Sequence, residues 1–265
     1  MTKLTLAQRL TVLENRKEGW EELYRSLFSS EWEIKTIVFS GPPGVGKSSI
    51  LNYFFEEEGD NTAFLLVDPS SSISGGAVLA DRARFRFSKD KKNPFVRSIA
   101  SRGHHGATAF SIWPFLRLLN SEKFKKVFIE SVGVGQTSEE LRGMADFLIV
   151  VLSPESGDAY QAVKAGLIEE ADLIVINKSD REGAKSLETT MKTITNKKVI
   201  SISAKENKNI ETLKGILKKM KIKNTEKKIL AETKDFATSV FLDKLQEKLN
   251  KTEKVENPLD FEIDI

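Results

Sequence analysis

Residues 38–55 read VFSGPPGVGKSSILNYFF. An apolar run gives way to Gly41, Pro42, Pro43, Gly44, Val45 and Gly46, and Lys47, Ser48 and Ser49 then open a second apolar run. The segment fits GxxxxGK[ST], with Gly41, Gly46, Lys47 and Ser48 in register between a predicted strand and a predicted helix, the context that gives this motif its meaning. Glycines let successive backbone N–H groups turn toward phosphate oxygens, and the helix N-terminus adds the positive end of its dipole. Lys47 can reach the β- and γ-phosphates, and the Ser48 hydroxyl can ligate Mg²⁺. The alternative, a bare glycine turn, is outweighed by the full match in that context. The loop reads as a nucleoside triphosphate site.

Working outward, six short runs recur: IKTIVFS from Ile34, TAFLLVD from Thr62, KKVFIES from Lys125, DFLIVVL from Asp146, DLIVINK from Asp172 and KKVISIS from Lys197. They are apolar throughout rather than alternating, as strands covered on both faces are. Segments of helical length, such as SSILNYFFEEE and AYQAVKAGLIEEA, separate most of them. Strand and helix in alternation predict an α/β fold, a P-loop NTPase with a mostly parallel central sheet flanked by helices. Two helical extensions flank it. Residues 4–30 place Leu6, Leu10 and Leu13, then Trp20, Leu23 and Leu27 beyond Gly19, at the spacing of two amphipathic helices. After Met220 a lysine-rich run, read as a solvated linker or helix face, leads to a helical pattern with Phe236, Phe241, Leu245 and Leu249 and then a loose acidic tail. The expected division is 1–33, 34–220 and 221–265.

Composition narrows the function classes. At 265 residues the chain can bury a sizeable core, and 40% hydrophobic with 30% charged residues is ordinary for a globular protein. A formal charge of +3 gives no ground for a nucleic-acid or anionic-membrane partner. With no cysteine, neither a disulfide framework nor a thiolate metal site can form. The first residues lack an apolar signal core and the longest apolar runs fall short of a membrane span, so a cytoplasmic location is expected.

The base is addressed by VINKSD. Asn177, Lys178 and Asp180 stand at the end of a predicted strand, where α/β sheets bind their ligands. The Asp180 carboxylate can accept from both the ring N–H and the exocyclic amine of guanine, an arrangement adenine does not offer. An NKxD string alone is a common loop sequence. Its place two strands after the carboxylate strand, with Ser203, Ala204 and Lys205 after the last strand, favours GTP. On the metal side, VFIESVGVGQ supplies Glu130, with Gly133 three residues on to meet the γ-phosphate. Most GTPases carry Asp in this slot; this chain has Glu, read as facing Mg²⁺. Asp68 and Asp81 are further candidate carboxylates, and Asp68, at a strand end, is the stronger. Gln136 can orient the attacking water or be an ordinary exposed loop residue.

Together these residues resemble the methylmalonyl-CoA mutase-associated GTPases, the MeaB and ArgK type, over roughly residues 6–250. The resemblance rests on GPPGVGKS, on VDPSS with the following GG and LxDxxR (Asp68 to Arg84), and on FVRS with SRG (Phe95 to Gly103). It also rests on ESVGVGQ (Glu130 to Gln136), GDAYQAVKAGLIEEADLIVINKSD and SAK. It implies a GTPase that chaperones an adenosylcobalamin-dependent acyl-CoA mutase, gating cofactor loading and protecting the enzyme. It also implies GTP/GDP and Mg²⁺ as cofactors, Ser48, Asp68, Asp81 and Glu130 around the metal, and base recognition at Asn177, Lys178 and Asp180. Lys47, Glu130 and Gln136 are the catalytic candidates, and the resemblance implies that SPESGDAYQAVKAG is a switch-type loop. Two departures stand out: His105 and Ala107 where the family usually has an apolar residue and a glycine, and a C-terminal region shorter than the family's dimerisation arm. A homodimer is therefore an open expectation. Two other readings remain: a metallochaperone GTPase using His104 and His105, and a GTP-binding interaction protein with little hydrolysis.

Overall fold

In the computed structural model, residues 4–68, 85, 93–100, 107–131, 138–155, 166–222 and 225–251 are described. A parallel sheet is built from β1 (Lys35–Ser40), β2 (Thr62–Asp68), β3 (Phe95–Ala100), β4 (Lys126–Glu130), β5 (Phe147–Leu152), β6 (Leu173–Ile176) and β7 (Lys198–Ser201). Their order is β3-β2-β4-β1-β5-β6-β7, and every neighbouring pair is parallel. The helices are α1 (Leu6–Glu14), α2 (Trp20–Ser26), α3 (Lys47–Glu57), α4 (Ala107–Ser121), α5 (Ser138–Met144), α6 (Leu167–Glu170), α7 (Ala184–Ile194), α8 (Ile210–Lys218) and α9 (Thr225–Lys251).

The six predicted strands are all present. The seventh, β3, was not predicted as a strand, because it lies at the sheet edge and interrupts its apolar residues with Arg97 and Ser98. Arg97 reaches Glu14 of α1 at 2.5 Å, so this edge strand is tied to the N-terminal helix. That helix is stopped at its start by a capping box in which Thr5 and Gln8 satisfy each other's backbone N–H groups. Its Leu10 and Leu13 are buried with Tyr24, Leu27 and Trp32 in the same apolar cluster as α4.

On the opposite face, aromatic rings fix α3, which carries the phosphate-loop lysine at its first turn. Phe54 of α3 stacks on Phe128 of β4 at 5.3 Å between centroids, and Phe128 stacks on Phe64 of β2 at 4.9 Å. Val45 of the loop is itself buried in this cluster. Since β1 lies between β4 and β5, the chain crosses sides of the sheet there, and the loop after β1 opens into the crevice at the strand ends.

Helix α9 departs from expectation. It starts at Thr225, inside the lysine-rich run, and the residues it buries are polar: Lys228, Glu232 and Ser239 are each 2% exposed. Lys228 Nζ lies 2.6 Å from Asp146 Oδ2 and 2.9 Å from Thr36 Oγ1, at the start of β5 and β1. Glu232 takes a forked pair from Arg117 Nε and Nη2 at 3.1 and 2.7 Å, and the Tyr24 hydroxyl donates to it at 2.5 Å. Burial and the adjacent Glu232 carboxylate push the Tyr24 phenol well above its ordinary range. Trp113 Nε1 donates to Asp235 at 2.6 Å, and Arg16 reaches Ser239 and Asp243. Positions 228, 232, 235, 239 and 243 repeat at the spacing of one helix face. Phe236 packs partly buried as predicted, but Phe241 is 37% exposed and Leu230 71% exposed. Beside Phe236, α9 thus docks through a seam of ion pairs and polar hydrogen bonds, and Lys228 is a core residue rather than part of a solvated face.

Candidate functional site

The loop between β1 and α3 takes its shape from two glycines. Gly41 (φ +137°) passes so close to β5 that a Cβ would lie 2.1 Å from the Val151 carbonyl oxygen. Gly46 (φ +93°) leaves no room either, since a Cβ would meet Asn177 Nδ2 at 2.3 Å. Larger residues at these positions would force the loop off the sheet. Lys47 is 5% exposed, and its ammonium is held by the Gly41 and Pro42 carbonyls at 2.7 and 2.8 Å. It thus spans the loop that its neighbours form. Lys47→Ala is expected to keep the fold, because the ammonium fills no apolar core, and to lower GTP affinity by roughly 100-fold, the worth of about two charge-assisted hydrogen bonds. Equilibrium titration with a fluorescent GTP analogue checks this; unchanged affinity would reject the loop as the phosphate site.

Three loops meet on one side chain. Asn177, 3% exposed, leaves the end of β6 and donates from Nδ2 to the Val45 carbonyl at 2.8 Å. Its Oδ1 accepts from the Ala204 N–H at 3.1 Å. The phosphate loop, the NKSD segment and the Ser203–Lys205 loop are thereby tied together. Ser203 Oγ donates to Asp180 Oδ1 at 2.5 Å, and this hydrogen bond, with one from the residue's own backbone and weaker help from Lys205 and Lys178, holds the Asp180 carboxyl below the usual carboxylate range. Asp180 is therefore an ionised acceptor at neutral pH. A cavity of about 480 Å³ opens between these loops, lined by Gly46, Ser48, Ser49, Asp180, Ala204 and Lys205 among others.

At the phosphate end, the Ser48 hydroxyl donates to Glu130 Oε1 at 2.7 Å. Two hard oxygens in contact beside the loop fit Mg²⁺, which keeps water and phosphate ligands and needs few from protein. Among the described residues, no group of three or more His, Cys, Asp or Glu side chains forms a site for a fully protein-held ion. Asp68 closes β2, next to the strand that Glu130 closes; its side chain lies outside the described set. So do Asp81, Gly133, Gln136, His104 and His105, together with most of the expected switch loop. Sequence reasoning passed over Asn52 and Arg181, which also line the cavity. No motif marks them; Arg181 falls one residue beyond NKSD.

A parallel sheet with a glycine-shaped loop after its central strand, a lysine across that loop and an Asn–Asp base segment defines a P-loop NTPase of the GTP-binding class. The family model for the methylmalonyl-CoA mutase-associated GTPase MeaB matches residues 6–256, and the chain belongs to that family. GTPase ArgK of Escherichia coli (strain K12) is 35% identical over 185 residues, which is 67% of this chain and 56% of that protein. The mitochondrial methylmalonic aciduria type A homolog of Mus musculus is 33% identical over 192 residues, 66% of this chain and 46% of that protein. The chain thus spans about half the length of the curated relatives it matches. The solved structure of a LAO/AO transport system kinase superposes with a TM-score of 0.63 at 24% identity, covering 93% of this chain and 80% of the other. Hydrogenase maturation factor HypB from Archaeoglobus fulgidus gives 0.53 at 21%, covering 80% and 98%. At these identities both speak for the fold alone. Among the described residues no helix is long and apolar enough to cross a membrane.

Proposed function

We propose that this chain is a Mg²⁺-dependent GTPase that cleaves GTP to GDP and gates the loading and protection of the cofactor of an adenosylcobalamin-dependent acyl-CoA mutase, methylmalonyl-CoA mutase or a close relative. The observation that carries the GTP reading is the Asn177 junction, which locks base segment and phosphate loop into one cavity. The family supports the mutase as client.

In this reading Asp180 pairs with the guanine edge, with the Ala204 and Lys205 backbone beside the guanine carbonyl. The loop from Gly41 to Ser49 offers its N–H groups to the phosphates, and Lys47 exchanges its loop carbonyls for β- and γ-oxygens. Ser48 and Glu130, with Asp68 and Asp81, would hold Mg²⁺, which would neutralise negative charge on the phosphates. Gly133 would meet the γ-phosphate, and Gln136 the attacking water. These residues bind and orient the nucleotide, while phosphoryl transfer also needs stabilisation of the water and the leaving group. Such help often comes from a partner. Turnover is therefore expected to be slow in the isolated protein. On addition of purified methylmalonyl-CoA mutase it is expected to rise on the order of tenfold or more, short of the roughly 10³-fold that a fully supplied catalytic group contributes. No stimulation and no complex in either nucleotide state would remove the client and leave the GTPase reading standing.

A further inference from the structure

Behind the wall of the base cavity lies a carboxylate that the scheme above does not use. Glu155 sits on the segment leaving β5, and Lys178 on the segment leaving β6. The two strands are neighbours in register, Leu152 beside Ile176, and Asn177 N–H still donates to the Leu152 carbonyl at 2.8 Å, so the segments depart side by side. Glu155 Oε2 accepts from Lys178 Nζ at 2.5 Å and from Ser153 Oγ at 3.2 Å. Its other oxygen, Oε1, pairs with Arg181. Lys178 and Arg181 line the cavity, whereas Glu155 is not among its lining residues.

The arrangement places a single carboxylate between two of the cations that line the cavity, Lys178 and Arg181. Lys178 stands at a left-handed backbone position, φ +59°, which sets where its side chain starts. Four rotatable side-chain bonds follow, and their freedom would otherwise let the ammonium wander or follow the phosphates. Paired with Glu155, which is not itself part of the lining, Lys178 is held in one place along the cavity wall. An ion pair with a 43% exposed carboxylate contributes little to folding stability. Its effect on where Lys178 lies is the larger consequence, since a binding site depends on residues that hold the contacting side chains in place.

We infer that Glu155 is a positioning residue of the guanine-nucleotide site, acting through Lys178 to slow the release of bound nucleotide. This rests on the guanine reading above. The test is stopped-flow release of a fluorescent GDP analogue from the wild type, Glu155→Ala, Lys178→Ala and the double variant, with thermal melting of each. Release from Glu155→Ala is expected to be about threefold to tenfold faster at an unchanged melting temperature. The double variant is expected to release at the rate of Lys178→Ala alone, because a residue that works through another adds nothing once that other is gone. Glu155→Gln, which keeps the acceptor oxygen and loses the charge, is expected to fall between. An unchanged rate in Glu155→Ala, or effects that simply add in the double variant, overturns the inference while leaving the guanine site intact. Failure of the wild type to bind the analogue at all overturns the guanine reading and this inference with it.

Discussion

Asp180→Asn is expected to exchange a preference for GTP for a preference for XTP. Guanine offers two donors on one edge, and the proposed role of the ionised Asp180 carboxylate is to accept both; the Ser203 hydroxyl on Oδ1 leaves lone pairs to do so. An amide replaces one acceptor with a donor, which opposes the guanine amine and matches the xanthine carbonyl. A site built on hydrogen bonds discriminates by about 10⁴-fold when one partner is wrong, so the ratio of GTP to XTP affinity is expected to shift by roughly that factor. Competitive titration of the two nucleotides reads the ratio directly. A variant that still prefers GTP would mean that Asp180 does not touch the base.

The second large effect concerns stability. Lys228→Ala removes the ammonium 2.6 Å from Asp146, whose side chain is 0% exposed, and leaves the Thr36 N–H and hydroxyl on that carboxylate. Breaking a buried pair from one side costs about 3–5 kcal/mol, far more than the few tenths lost at a surface lysine. Replacing both charges by neutral groups of similar size, Lys228→Met with Asp146→Asn, is expected to recover most of the loss, because no charge is then stranded. Urea unfolding of the three proteins measures both steps. A Lys228→Ala cost below about 1 kcal/mol would place this lysine in solvent, contrary to the packing of α9.

These two residues also mark how far the sequence could be read. Asp180 belongs to a segment whose chemistry and position after an apolar strand announce it, and the loop from Gly41 to Ser48 does so more strongly. Strands buried on both faces are visible because their centres are unbroken apolar runs, as in Phe147–Leu152 and Leu173–Ile176. β3 was not, since an edge strand carrying Arg97 toward Glu14 looks like any mixed polar segment. Lys228 was hidden for the same reason. Hydrophobic periodicity registers apolar seams, and a helix that docks through Lys228, Glu232 and Asp235 has its signal in charges whose partners lie up to 208 residues away along the chain. Glu155 escaped notice because an ion pair across 23 residues between two loops has no local pattern at all.

The ionic seam of α9 has a bearing on how the polypeptide acquires its shape during synthesis. All seven strands leave the ribosome before residue 225, and chains commonly begin to fold N-terminal part first while translation proceeds. Here Asp146, Arg117 and Tyr24 emerge long before Lys228 and Glu232 exist to meet them. A nascent sheet would have to keep these groups hydrated, with the starts of β1 and β5 still open to water. Arrival of α9 would then displace that water from the starts of β1 and β5, so the order in which the chain is made would set the order in which its interior becomes dry.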